Sequence, residues 1–138
     1  MRQVGATLVA LVVGSILLSA AQYQGWFIPD GGKEEKSPMS SAAGAAARGK
    51  ALYASHCANC HGPQGKGDGP GADYAADLTD DLRTELNTEG VLFYKIWNGR
   101  IKYGKGPTED MPAFNSKLEK DQVWALVEYL KVLRTSRK

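Results

Sequence analysis

The chain has little histidine and cysteine, and both residue types are concentrated in one place. Two cysteines and two histidines occur among 138 residues, and all four lie between positions 56 and 61. No third thiol is left for a rival disulfide pairing. The chain also lacks a large excess of charge of one sign, because 17 basic and 15 acidic side chains give a net charge of +2. Such a balance gives no support for nucleic-acid binding.

The run Cys57-Ala58-Asn59-Cys60-His61 is a C-x-x-C-H motif, which is typical of c-type haem attachment. Two thiols three positions apart lie on one side of a helical turn, so both can add to the vinyl groups on one porphyrin edge. The imidazole of His61 follows at once and can reach the iron as proximal ligand. The motif therefore predicts one covalently bound haem c.

Three other interpretations of the motif are weaker. A structural zinc site needs about four ligands in tetrahedral geometry, and here the candidates, including His56, crowd into one turn. A thioredoxin-like C-x-x-C needs a βαβ context, but no strand pattern precedes Cys57. A plain disulfide leaves His61 unexplained.

From Gly44 to the C-terminus, the chain resembles the class I c-type cytochromes, which are small monohaem electron carriers with His/Met-ligated iron. The resemblance implies an all-α fold in which the first and last helices pack across each other around the haem. It implies that Gly49 and Tyr53 on the first helix meet Leu126 and Tyr129 on the last. We expect the buried haem to supply much of the core of such a small domain.

Two loops carry the expected ligands. Met111-Pro112 lies in a Gly/Pro-rich loop, Arg100 to Phe114, and resembles the loop that supplies the sixth ligand in the family. A thioether ligand favours ferrous iron and raises the potential, although a methionine is more often a core filler. Pro70 follows His61 by nine residues. The resemblance implies that its carbonyl accepts a hydrogen bond from the His61 ring and supports the ligand, and the alternative is a simple turn former.

Helix signals divide the predicted haem domain, residues 44–138. The first helix is predicted over Gly44 to His56. Thr88 is a typical N-cap for a helix over Glu89 to Asn98, with Gly99 as its terminator. The last helix, Glu119 to Arg134, carries an apolar stripe. Glu119 stands where Ser or Thr is common in the family, so the start of this helix is open by a residue or two.

The N-terminal region predicts a membrane anchor followed by a tether. Val4 to Ala21 is an uncharged, mostly apolar run near the lower limit for a transmembrane helix, and aromatics at 26 and 27 suit an interfacial belt. We expect residues 1–28 to be a retained signal-anchor with the haem domain on the periplasmic side of a bacterial cytoplasmic membrane. The alternative is cleavage near Ala21, which gives a soluble periplasmic protein. Residues 29–43 predict a flexible linker.

The resemblance implies one-electron transport, with no small-molecule substrate and no catalytic residue. The expected partners are a quinol-oxidising complex as donor and a respiratory oxidase or photosynthetic reaction centre as acceptor. One alternative is a fixed haem subunit of a larger complex. A small haem peroxidase is a further alternative, but it needs a vacant sixth position that Met111 would fill.

Overall fold

The computed structural model describes residues 25–71, 73–80, 85–100 and 111–136. Within these ranges the helices are α1 (Ala45–His56), α2 (Ala58–His61), α3 (Glu89–Asn98) and α4 (Lys120–Thr135). The same residues contain no strand, only an isolated antiparallel bridge between Trp26 and Arg100. None of the helices in the described ranges has the length and apolar character needed to cross a bilayer. The predicted anchor run lies outside the described residues.

The crossing of α1 and α4 is the centre of the fold, as the resemblance implied. Gly49 makes the close approach possible, because a Cβ at this position would overlap the Ala125 carbonyl and lie 2.8 Å from the Cβ of Tyr129. One turn later, the Tyr53 and Tyr129 rings pack with centroids 5.2 Å apart. Leu126 is buried and belongs to the same core cluster as both tyrosines. The predicted meeting of the two helices at Gly49, Tyr53 and Tyr129 is therefore confirmed.

Helix α3 completes the core and has the predicted bounds. The Thr88 hydroxyl accepts a hydrogen bond from the Val91 N–H at 3.4 Å, which satisfies one of the unpaired amides of the first turn. Gly99 ends the helix with φ 66°, a left-handed angle that glycine adopts without strain. The Phe93 ring stacks on Trp124 of α4 at 4.3 Å between centroids, which joins the two helices.

Helix α4 begins at Lys120, one residue later than predicted. Glu119 has an extended backbone, with ψ 158°, and is the N-cap. Its N–H donates to the side-chain oxygen of Gln122 at 2.8 Å. This reciprocal arrangement is a capping box, and it caps the helix in place of the Ser or Thr that is common in the family.

Residues 25–41, which we call the N-terminal strap, are docked on α3. Gly32 and Ser37 are buried, and a Cβ at Gly32 would lie 2.7 Å from the Tyr94 ring. A flexible linker over 29–43 is therefore not what the structure shows, because polar groups of the strap bind side chains of α3 and of its N-cap residue. The bonds are Asn98 Nδ2 to Phe27 O at 2.9 Å, Thr88 Oγ1 to Lys33 O at 2.6 Å, Tyr94 Oη to Glu35 Oε1 at 2.6 Å and Ser37 N to Glu89 Oε2 at 2.7 Å.

Glu89 joins the strap to two helices. Its other carboxylate oxygen lies 3.0 Å from the Lys131 ammonium of α4. Burial alone would raise the pKa of Glu89, but the hydrogen bonds from the Ser37 N–H and from Lys131 outweigh it and hold the pKa below its ordinary value. The strap is thus part of the folded domain.

Candidate haem-binding site

The C-x-x-C-H motif sits at the end of α1, where the chain makes one further helical turn. Cys57 closes α1 by donating its N–H to the Tyr53 carbonyl at 2.9 Å, and its own carbonyl accepts from the His61 N–H at 2.9 Å. Cys57, Cys60 and His61 therefore share a single turn, as the spacing predicted. The buried Tyr53 hydroxyl donates to the Gly62 carbonyl at 2.8 Å and fixes the far end of that turn on α1.

The two cysteines are free, half-buried thiols. Burial, with the neighbouring Cys60 thiol, raises the pKa of Cys57 to about 12. In the described part of the chain, no group of three or more His, Cys, Asp or Glu side chains is placed to hold a metal ion.

The His61 ring is fixed by a hydrogen bond from Nδ1 to the Ala76 carbonyl at 3.0 Å. A carbonyl only accepts, so Nδ1 carries the proton and Nε2 keeps its lone pair for the iron. This is the outer-shell partner that metal-binding histidines almost always have. The acceptor predicted from the resemblance was Pro70, and the structure gives Ala76 instead.

A glycine-rich loop, residues 62–71, explains why the acceptor comes from further along the chain. The loop runs back along α2: the Gly69 N–H donates to the Cys60 carbonyl at 3.1 Å and the Gly71 N–H to the Asn59 carbonyl at 2.8 Å. A Cβ at Gly69 would lie 2.6 Å from the Cys60 backbone. Pro70 is exposed between these two glycines. The chain reaches the His61 ring only after this pass along α2.

Met111 lies half-buried at the edge of the hydrophobic core. Its carbonyl accepts from the Arg100 N–H at 2.9 Å, which joins the two ends of the predicted ligand loop. Residues 101–110 of that loop lie outside the described residues. Gly99 is required here, because a Cβ would approach the Met111 carbonyl to 2.7 Å. The sixth-ligand role of Met111 stays a prediction.

The surroundings suit a large apolar group. Cys57, Ala58, Leu78, Trp97 and Met111 are half-buried, and all pack against the same core cluster. These side chains, two of which belong to the motif itself, are left partly uncovered by protein, while His61 offers one lone-pair nitrogen. The residues present fit a haem.

Sequence reasoning missed two contributors to the site. Ala76 acts through its backbone oxygen, so no side-chain pattern could have marked it. Tyr53 was expected only to pack against the last helix, and its hydroxyl also holds the carbonyl that follows the motif.

Comparison with known proteins identifies a family. No curated protein matches the chain. Residues 44–130 match the family model described as "Cytochrome C oxidase, cbb3-type, subunit III", which spans more than half of the sequence. The chain therefore belongs to this family of c-type cytochromes and carries a covalently bound haem c.

Proposed function

We propose that this protein is a membrane-anchored electron carrier between a quinol-oxidising complex and a terminal oxidase or photosynthetic reaction centre. Membership of the family implies electron transfer. The observation that carries the proposal is the His61 ring, fixed at the motif by the Ala76 carbonyl with one nitrogen left for a metal. The haem supplies an iron that alternates between the ferrous and ferric states. The chain supplies its ligands and its apolar surroundings.

The proposed ligand pair suits electron transfer better than peroxide chemistry. His61 and Met111 would both hold the iron and leave no position open for peroxide or oxygen. The half-buried position of Met111, beside the core that also contacts Cys57, supports this assignment. The peroxidase alternative needs Met111 to stay away from the iron.

The anchor is proposed from sequence. Val4 to Ala21 would hold the protein to the cytoplasmic membrane, with the haem domain on the periplasmic side. N-terminal sequencing of the native protein tests this. A mature chain that begins at Met1 supports the anchor, and one that begins at Gln22 would mean a soluble carrier.

A second candidate is a fixed haem subunit of a larger complex. The docked strap favours it, because a carrier that swings on a tether needs the flexibility that these residues lack. The family description also names an oxidase subunit. In this case electrons pass through the protein without its leaving the complex.

Reconstitution separates the candidates and tests the function. The native protein is extracted in mild detergent and its mass is measured with haem detection. A small species that is reduced by a quinol-oxidising complex and reoxidised by an oxidase supports the carrier, whereas stable co-migration with an oxidase supports the subunit. Met111→Ala should abolish transfer and Met39→Ala, the matched methionine of the strap, should not. A protein that neither accepts nor donates electrons in either setting contradicts both.

A further inference from the structure

One face of the domain combines an exposed phenylalanine and a half-buried tryptophan with two cations. Phe27 is 60% exposed. The preceding residue in the chain, Trp26, is half-buried, and the Lys95 ammonium lies 5.0 Å and the Arg100 guanidinium 5.9 Å from its ring centroid. We call Trp26, Phe27, Lys95 and Arg100 the aromatic–basic face. Rings at the surface together with lysine and arginine are the composition of protein segments in a lipid headgroup layer.

This face is built from two distant parts of the sequence and is held rigidly. The Asn98 amide donates to the Phe27 carbonyl at 2.9 Å. The isolated bridge joins Trp26 to Arg100. Further along the strap, Tyr94 packs on Gly32 and binds Glu35. The position of Trp26 relative to α3 is therefore fixed by the fold.

The chain length from the apolar run places this face close to the proposed anchor. Four residues, Gln22 to Gly25, separate the run that ends at Ala21 from Trp26. Fully extended, the chain from Ala21 to Trp26 spans about 18 Å. The face therefore cannot lie far from the bilayer surface if the run spans it.

We propose that the aromatic–basic face rests in the headgroup layer of an anionic bilayer and holds the haem domain in one orientation on the membrane. The proposal rests on the anchor proposed above and adds a second contact to it. An acidic protein would also attract the two cations. The exposed Phe27 and the short connection favour lipid, because neither is needed for a charged protein partner.

Spin labelling of the full-length holoprotein in lipid nanodiscs tests this. Cys57 and Cys60 are consumed by the haem, so an introduced cysteine is the single reactive thiol. The labelled positions are Phe27→Cys next to the anchor, Arg100→Cys on the same face but far along the chain, and Tyr74→Cys, which is 83% exposed on the loop near His61. Collision rates with oxygen and with a water-soluble nickel chelate report depth, with the iron kept reduced and diamagnetic.

In phosphatidylglycerol-containing discs, we expect interfacial depth at positions 27 and 100 and aqueous exposure at 74. The nickel-chelate collision rate at 100 should rise severalfold when Gly32→Val, whose side chain would collide with the Tyr94 ring, undocks the strap. Ser40→Val, at an exposed strap position, is the matched control and should leave that rate unchanged. Purely phosphatidylcholine discs should weaken the contact at 100.

Three results would overturn the proposal. Interfacial depth at 27 with aqueous exposure at 100 means that the anchor is correct but the domain has no fixed orientation on the membrane. The aromatic–basic face would then be available to an acidic protein. Interfacial depth at 100 that survives Gly32→Val means that the strap does not set the orientation. A chain that does not assemble into discs at all removes the anchor and this contact together.

Discussion

Gly49 at the α1–α4 crossing offers the sharpest test of the fold. In Gly49→Ala, the new Cβ would lie 2.6 Å from the Ala125 carbonyl carbon and closer still to its oxygen, whereas real Cβ atoms keep at least about 3.0 Å from such neighbours. The obstacle is backbone of the partner helix, which no side-chain rotation can relieve. The two helices must therefore separate, and the Tyr53–Tyr129 contact one turn away must loosen with them.

Two opposing effects set the size of the loss. Alanine is a better helix former than glycine by about 1 kcal/mol. Overpacking a well-packed core costs about 1–3 kcal/mol, and we expect a clash with backbone to cost about 3 kcal/mol. We therefore expect Gly49→Ala to lower the free energy of unfolding by about 2 kcal/mol. For a domain of this size, that corresponds to a fall in Tm of about 8–16 °C.

Guanidinium unfolding of the holoprotein, followed by circular dichroism at the helical band, measures the change. Ala51→Gly is the matched control, because this exposed position lies on the same helix and reports helix propensity alone. It should lose about 1 kcal/mol. A Gly49→Ala protein at least as stable as the parent would refute the close approach of α1 and α4.

Three further predictions concern the site and the strap. The Cys57→Ala, Cys60→Ala double variant should lose its haem stain on a denaturing gel, and stain that persists would contradict thioether attachment. Met111→Ala should open the iron, lower the potential and let carbon monoxide bind the reduced form; survival of the sulfur-to-iron charge-transfer band would point to another ligand. The pKa of Glu89 is lower in the folded protein than its ordinary value near 4.5. The carboxylate therefore stabilises the fold at pH values above 4.5. The parent should therefore exceed Glu89→Gln in unfolding free energy at pH 7, and the difference should shrink as the pH falls through the folded pKa, which lies below 4.5. If the parent and Glu89→Gln were equally stable at pH 7 and at a pH below the folded pKa, the carboxylate would not help to attach the strap.

Local signals predicted the helices of the haem domain closely. The Thr88 cap and the Gly99 stop set the bounds of α3, because both act within one turn of the chain. The start of α4 moved by one residue, since Gln122 satisfies the Glu119 N–H in a way that depends on a side-chain rotamer. The crossing at Gly49 followed from the resemblance, and its tightness became visible only with both helices in place.

The strap shows where composition misleads. Residues 29–43 are rich in Gly, Ser, Pro and charge, so they predict a segment that cannot bury a core. In the structure, Met39 of this stretch is partly buried against the hydrophobic core. The strap is also held by hydrogen bonds to side chains of α3 and of its N-cap residue Thr88, and these partners lie more than fifty residues away. Pairing over such distances leaves no local pattern.

The sequence by itself determined the covalent chemistry of the site. Two thiols and an imidazole at fixed spacing on one turn define haem attachment, because the bonds they form are local and need no distant partner. Only the tertiary structure decided what supports His61. The acceptor is a backbone oxygen, which every residue carries, so the path of the glycine-rich loop along α2 selects Ala76 over Pro70. The same holds for the strap, whose place on α3 is set by contacts that exist only once the chain has folded.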